Sequence, residues 1–123
     1  MTDQPVLIHG IVSTSKYENN YAQALEKYKW EFEYQVSLFG GRNVAGGTVV
    51  DFIVYSVPLP TPVYVGAEYW HTGERAEREK ALDALIAARL RKYYQAPIRL
   101  MSIDVATPED ADRAVLRDFG RMG

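Results

Sequence analysis

The sequence predicts an α/β domain in which helices flank a mixed central sheet, with elements in the order (β)αβββαβα. Three observations predict this class. Apolar residues recur at helical spacing near the N-terminus, three short strand-like segments follow, and a second helix–strand–helix series closes the chain. Helices are expected on the faces of such a sheet, because its apolar faces must be covered.

The length predicts a single domain. A chain of 123 residues is enough for one hydrophobic core and not for two. We predict an N-terminal arm over residues 1–14, a core over 15–105 and a C-terminal helix over 106–123.

The first half of the chain shows the apolar periodicity of a helix and then that of a strand. Residues 5–12 are apolar and β-branched, which indicates a short strand or an extended arm. Apolar residues at helical spacing predict a helix over 16–29, with Glu18 in its first turn, near the positive end of the helix dipole. Alternation of apolar and polar residues predicts a half-buried strand over 32–38, with Gln35 on its polar side.

The middle of the chain predicts a hairpin and a further strand. The glycine-rich segment 40–47 is typical of a hairpin loop. Residues 48–55 form a continuous apolar run broken only by Asp51, which predicts a central strand. A proline-rich connection leads to a strand over 63–67, and a helix is predicted over 74–92.

The C-terminal elements have clear sequence signals. The segment "PIRLMSIDV", residues 97–105, predicts the last strand. Thr107 is a predicted helix cap, and Pro108 suits the first helical position. Acidic residues in the first turn complete the signal for a C-terminal helix.

Composition narrows the classes of function. The net charge is −2, whereas proteins devoted to non-specific DNA binding are usually basic. The chain contains no cysteine, so disulfides and thiolate metal sites are excluded. No apolar stretch approaches the roughly 20 residues of a membrane span, and no signal peptide is recognisable. We expect a cytoplasmic protein with no membrane partner.

Asp51 is the first candidate site residue. A carboxylate within an apolar strand is costly unless it is paired or bound to a cation. A metal ion, a basic side chain or backbone donors are all plausible partners. Glu68 favours a metal, because strand ends can bring Asp51 and Glu68 together as oxygen ligands for Mg²⁺. Glu18 is a candidate third carboxylate, although helix-dipole stabilisation also explains it, and a solvated strand end explains Glu68.

His71 is a candidate site residue of another type, a titratable side chain that could take part in proton transfer. It is one of two histidines and directly follows Tyr69 and Trp70. It could act as a general acid or base, or donate a hydrogen bond to a phosphate. A structural histidine at a strand–helix junction is the alternative. The glycine-rich loop lacks the lysine and Ser/Thr of a phosphate-binding loop, so nucleotide binding is not predicted.

Three stretches resemble a known family. The stretch "YENNYAQALEKYKWEFEYQ", residues 17–35, is similar to the opening helix and strand of very short patch repair endonucleases. The stretches "VVDFIV" and "VYVGAEYWH" resemble that group's aspartate strand and its following strand, which ends in an aromatic residue, tryptophan and histidine. The likeness spans residues 16–90. It implies the αβββαβ restriction-endonuclease-like core of the PD-(D/E)XK nuclease superfamily.

The resemblance also implies roles for individual residues. Asp51 would be the principal ligand of Mg²⁺ or Mn²⁺, and the backbone carbonyl of Val65 a second ligand. Glu18 would position metal or water, and His71 would assist at the phosphate. Glu68 has no counterpart at its position, but is a candidate for the acidic role of the third strand.

The sequence departs from that family on the third strand. The superfamily usually carries Glu/Asp-x-Lys there, and this chain has Tyr64, Val65 and Gly66. Lys80, on the predicted helix that follows, is the candidate to reach back and replace the missing lysine. The cysteines of that group's zinc site are absent, so mismatch specificity does not transfer.

Three functions follow as hypotheses. The first is a Mg²⁺-dependent DNA endonuclease selective for branched or nicked duplex, such as a junction resolvase or nickase. Because two strands must be cut, a homodimer is expected, with the N-terminal arm adding a strand across the two-fold axis. The second is a catalytically inactive nuclease fold that serves binding or assembly. The third is an unrelated α+β ligand-binding domain with an aromatic-lined pocket.

Overall fold

The fold is a mixed sheet flanked by helices, as the sequence predicts. The computed structural model describes residues 7–13, 15–38, 48–66, 81, 84, 88 and 91–122. Its helices and strands are β1 (Leu7–Ile8), β2 (Ile11–Val12), α1 (Lys16–Lys27), β3 (Phe32–Leu38), β4 (Thr48–Val54), β5 (Thr61–Val65), β6 (Ile98–Leu100) and α2 (Pro108–Asp118). A short 3₁₀ helix, Ser102–Val105, precedes α2.

The main sheet has four strands within the described residues, in the order β3-β4-β5-β6. The first three are antiparallel neighbours, and β6 runs parallel to β5. A parallel pair requires a crossover connection, usually helical. The predicted helix 74–92 falls in that connection. Of its described positions, Ala81, Ala84 and Ala88 are helical and exposed, whereas Arg91 and Lys92 lie in a turn. The alanine spacing of three and four residues marks the solvent side of a helix.

Helix α1 begins and ends at defined signals. The Ser15 hydroxyl accepts the Glu18 backbone N–H at 3.2 Å, which satisfies one of the N–H groups that lack a helical partner. At the other end Lys29 adopts a left-handed conformation with φ of 68°. The Trp30 N–H then returns to the Leu25 carbonyl at 2.9 Å, so the last turn is closed.

The core lies between the sheet and both helices. Phe52 is fully buried, and its ring contacts Tyr21 from α1 together with Phe32 and Tyr34 from β3, with centroid distances of 5.2, 5.7 and 5.1 Å. Small residues of α1 and α2 allow these helices to approach this face, among them Ala22, Ala24, Ala111 and Ala114. The opposite face carries a smaller apolar cluster around Ile53 and Tyr64.

Helix α2 confirms its sequence signals. The Thr107 hydroxyl accepts the Asp110 N–H at 3.1 Å, and Pro108 is the first helical residue. An ion pair of 2.6 Å joins Lys27 of α1 to Asp112 of α2 on the surface. Among the described residues there is no helix long and apolar enough to cross a membrane.

Two predicted strands have different bounds. The strand predicted over 97–105 ends at Leu100, because the Asp104 carboxylate accepts the Met101 N–H at 2.8 Å and turns the chain into the 3₁₀ helix. The strand predicted over 63–67 begins two residues earlier, since Thr61 pairs with Val54. Residues 67 onwards of that prediction lie outside the described residues.

The N-terminal arm is a small hairpin rather than a single strand. Its strands β1 and β2 pair in antiparallel fashion through Leu7–Val12 and Ile8–Ile11. Ile8 is 2% exposed and joins the core, and the His9 ring stacks on Phe32 at 4.2 Å. These contacts fix the hairpin to the domain and give His9 a structural role.

A buried phenol in α1 provides the first stability prediction. Tyr21 is 0% exposed, and its hydroxyl has no hydrogen-bond partner among the described residues. Burial raises the pKa of Tyr21 far above its ordinary value, and the charge of Asp118 raises it further. The folded state therefore keeps the proton at a pH where an unfolded tyrosine, with a pKa near 10, loses it.

We expect Tyr21→Phe to leave the free energy of unfolding unchanged at pH 7 or to raise it by about 1 kcal/mol, because the substitution removes an unsatisfied polar group. Wild-type stability should fall as the pH rises above about 10, and by about pH 11 the variant should gain roughly 1.4 kcal/mol more over wild type. Urea unfolding at both pH values measures this. Tyr93→Phe, at a residue that is 64% exposed, is the control. A large loss of stability in Tyr21→Phe at pH 7 would contradict the buried, unpaired hydroxyl.

Candidate functional site

Asp51 lies in the central strand β4, between the buried residues Val50 and Phe52. Its side chain is half-buried, and Oδ2 accepts the backbone N–H of Val65 at 2.8 Å. Of the partners considered for this carboxylate, a backbone donor is therefore present. The donor belongs to the neighbouring strand, so the contact ties β4 to the end of β5.

This hydrogen bond lies just beyond the last regular pair of β4 and β5. The β4–β5 pairing runs from Val54–Thr61 to Phe52–Val63. Beyond the last pair, the Asp51 carboxylate accepts the Val65 N–H. The carboxylate thus lies where the regular pairing of the two strands ends.

Gln35 lies opposite Asp51 on the other neighbouring strand. The pairs Tyr34–Phe52 and Val36–Val50 place Gln35 across from Asp51 in register. Its φ of 57° is in the left-handed region, which costs a residue other than glycine roughly 1–3 kcal/mol. Gln35 is half-buried, and its amide donates to Glu18 of α1. The left-handed conformation allows its amide to reach helix α1.

Glu18 holds this amide in place. The Glu18 side chain is 7% exposed, and its Oε1 accepts hydrogen bonds from Gln35 Nε2 at 3.2 Å and from the Tyr34 hydroxyl at 2.7 Å. Its Oε2 accepts the Ser15 hydroxyl at 3.1 Å. The Gln35 amide is thus directed to α1, and Glu18 also belongs to the cap of that helix.

The other face of β5 carries Tyr64. Tyr64 packs with Val50 and Ile53 on the sheet face opposite α1, and it is paired with Arg99 of β6. The Arg99 guanidinium lies over the Tyr64 ring, 4.4 Å from its centroid.

Asp51 offers one carboxylate, the ligand type that hard divalent cations prefer. Mg²⁺ prefers carboxylate and carbonyl oxygens and commonly uses one or two protein carboxylates while keeping several waters. Asp51 supplies a half-buried carboxylate, and its bond to the Val65 N–H places the Val65 main chain beside it. Among the described residues no three His, Asp, Glu or Cys side chains cluster as a complete metal site.

Three predicted site residues lie outside the described residues: Glu68, His71 and Lys80. Their roles as acidic ligand, phosphate-contacting histidine and relocated lysine remain predictions. The described structure brings Glu18, through Gln35, to the strand position opposite Asp51, and it brings Asp51 to Val65.

The sequence interpretation gave no site role to Tyr34 or to Arg99. No local motif distinguishes either residue. One signal in the sequence could have located the residue opposite Asp51. If the chain folds as a hairpin about the glycine-rich loop 40–47, residue 35 or 36 lies opposite Asp51. Comparison with known protein families, curated proteins and solved structures finds no match to this chain.

Proposed function

We propose that this chain is a Mg²⁺-dependent DNA endonuclease that hydrolyses phosphodiester bonds. The observation that carries the proposal is the Asp51 carboxylate, held by the Val65 N–H at the point where the β4–β5 pairing ends. The strand order and directions support it, since an αβββ unit is followed by a strand parallel to β5. This is the arrangement expected from the resemblance to PD-(D/E)XK nucleases.

The residues of the chain have distinct tasks in this proposal. Asp51 and the Val65 carbonyl would hold Mg²⁺ or Mn²⁺, which activates water and neutralises phosphate charge when bound. The Val65 N–H fixes the orientation of the Asp51 carboxylate. Glu18 and Gln35 form the adjoining polar wall through their 3.2 Å hydrogen bond.

The proposal extends to partners and compartment. A branched or nicked DNA duplex is the proposed substrate. A homodimer is proposed through the hairpin β1–β2, whose Leu7, Ile11 and Val12 side chains are 58, 42 and 55% exposed. The absence of cysteine is compatible with the cytoplasm as the proposed compartment.

We expect purified protein to cut nicked or four-way branched DNA in the presence of Mg²⁺ or Mn²⁺ and to stop when EDTA removes the metal. The reason is that the proposed chemistry needs a cation at Asp51. Gel assays on labelled nicked, branched and intact duplexes of one sequence measure both the activity and the structural preference. Failure to cut any of them with any divalent metal would disprove the endonuclease.

A binding or assembly protein with a nuclease fold is the second candidate. It is favoured by β5, where Tyr64 and Val65 stand in place of the usual acidic residue and its neighbour, and by the Asp51 contact to a backbone donor. Calorimetric titration with Mg²⁺ and Mn²⁺ separates the candidates. The endonuclease predicts heat of binding that Asp51→Asn removes, whereas the second candidate predicts no binding to either protein.

A further inference from the structure

We propose that the strained backbone of Gln35 sets the position of the Asp51 carboxylate, so that Gln35 is a positioning residue of the site. The inference deepens the proposed function and rests on it for the role of Asp51. Gln35 has a φ of 57°, a left-handed conformation that residues other than glycine adopt at a cost. It lies in register with Asp51, between two regular pairs of β3 and β4. Strained residues of this kind cluster at functional sites.

Strand β3 changes face at Gln35. In a regular strand, residues two apart point to the same face of the sheet. Tyr34 packs in the core on the α1 side, whereas Val36 packs against the cluster on the opposite face. The left-handed residue lies between them, so the change of face coincides with the strained backbone.

Strand β4 changes face at the same step of the register. Phe52 packs in the core on the α1 side, whereas Val50 belongs to the cluster on the opposite face. Asp51 is the residue between them. Because β3 and β4 are paired on both sides of this step, a rotation of one strand requires a rotation of the other. The rotation at Gln35 is therefore shared by the strand that carries Asp51.

The change of face directs the Asp51 side chain along the sheet. A residue in a regular strand points its side chain to one face, whereas the Asp51 carboxylate reaches the main chain of β5 and accepts the Val65 N–H at 2.8 Å. Irregular residues in paired strands re-aim side chains in this way next to active sites. The strain at Gln35 is thus coupled to the position of the carboxylate to which the proposed chemistry assigns the metal.

The side chain of Gln35 is held by α1. Its amide donates to Glu18 Oε1 at 3.2 Å, and the same oxygen accepts the Tyr34 hydroxyl at 2.7 Å. Glu18 is 7% exposed, so these hydrogen bonds form away from solvent. A strained backbone persists only where the surrounding structure holds it. Glu18 thus stabilises the left-handed conformation, and the backbone of Gln35, rather than its amide, acts on Asp51.

The test follows the backbone amide resonance of Val65 in nitrogen–proton correlation NMR spectra. In wild type this resonance should shift as acid protonates the Asp51 carboxylate that accepts its hydrogen bond, and Asp51→Asn should remove the acid-induced shift. Gln35→Val should remove most of it, because a β-branched residue strongly disfavours a positive φ and favours a regular strand. Gln35→Gly should retain the shift although the amide is lost, since glycine readily adopts the left-handed conformation.

Cleavage of a nicked duplex with Mg²⁺ gives the second readout. Gln35→Val should lower the rate at saturating DNA about a hundredfold, as expected for a misplaced catalytic group, while the DNA concentration at half-maximal rate stays unchanged. Gln35→Gly should cleave at close to the wild-type rate. Ser37→Val is the matched control, because it places the same side chain at an exposed position of β3 that pairs regularly with Val49, and it should change neither readout.

Urea unfolding of every variant measures whether the fold is retained, and if Gln35→Val does not fold, Gln35→Gly decides the question. A wild-type acid response of Val65 in Gln35→Val, or its loss in Gln35→Gly, would overturn the role of Gln35 and leave the endonuclease standing. Absence of the response in the wild-type protein would overturn it as well. If the wild-type protein cuts no DNA while the Val65 shifts follow the expected order, the endonuclease fails and Gln35 is confirmed as the residue that positions Asp51.

Discussion

Asp51→Asn should reduce Mg²⁺-dependent DNA cleavage by about a thousandfold or more, while the protein keeps its fold. Loss of the proposed metal ligand would remove several kcal/mol of transition-state stabilisation, and about 4 kcal/mol corresponds to that factor. Asparagine has the same shape, and its side-chain oxygen can still accept the Val65 N–H that Asp51 binds at 2.8 Å. The substitution therefore removes the charge and leaves the strand contact in place.

Initial rates of cleavage over a range of Mg²⁺ concentrations measure this effect, with urea unfolding as the measure of stability. Asp112→Asn is the matched control, because it removes a carboxylate from α2 that pairs with Lys27 on the surface. That control should cleave at the wild-type rate. Equal rates for Asp51→Asn and Asp112→Asn would remove Asp51 from the chemistry and leave it as a structural contact between strands.

Much of the sheet could be predicted from periodicity. Alternation identified β3, the uniform apolar run identified β4, and the cap and proline signals identified α2. Asp51 was predicted to need a partner for a physical reason, since a charged group in an apolar strand must be compensated. The sequence could not decide between a cation and a backbone donor, because the Val65 N–H becomes available only when the β4–β5 pairing ends.

Other features depend on three-dimensional contacts that local patterns do not encode. Gln35 follows the alternation of β3 in sequence but takes a left-handed backbone, held by a hydrogen bond to Glu18. Arg99 meets the Tyr64 ring through a parallel pairing between strands separated by the connection 66–97. The end of β6 depends on Asp104, whose side chain competes for the Met101 N–H. Each outcome reflects a tertiary or side-chain contact that overrides strand propensity.

Phe52→Ala should cause the largest loss of stability of any substitution considered for this chain, about 3–5 kcal/mol. Phe52 is 0% exposed, and its ring contacts the rings of Tyr21, Phe32 and Tyr34. Alanine would leave a cavity between α1 and the sheet that these large side chains cannot fill without moving. A domain of this size has only about 6–18 kcal/mol of stability in total, so the variant should unfold at a markedly lower urea concentration.

Phe52 also neighbours Asp51 in β4, so the loss of packing should affect the site as well as the fold. Phe52→Leu retains most of the apolar volume and should cost well under half as much, which separates a cavity effect from loss of aromatic contacts. Tyr93→Ala removes an aromatic residue that is 64% exposed and should change stability by no more than about 0.5 kcal/mol. Urea denaturation of the three variants measures the order of these effects. If Phe52→Ala were as stable as Tyr93→Ala, Phe52 could not be the centre of the core, and the sheet face on which α1 packs would have to be reassigned.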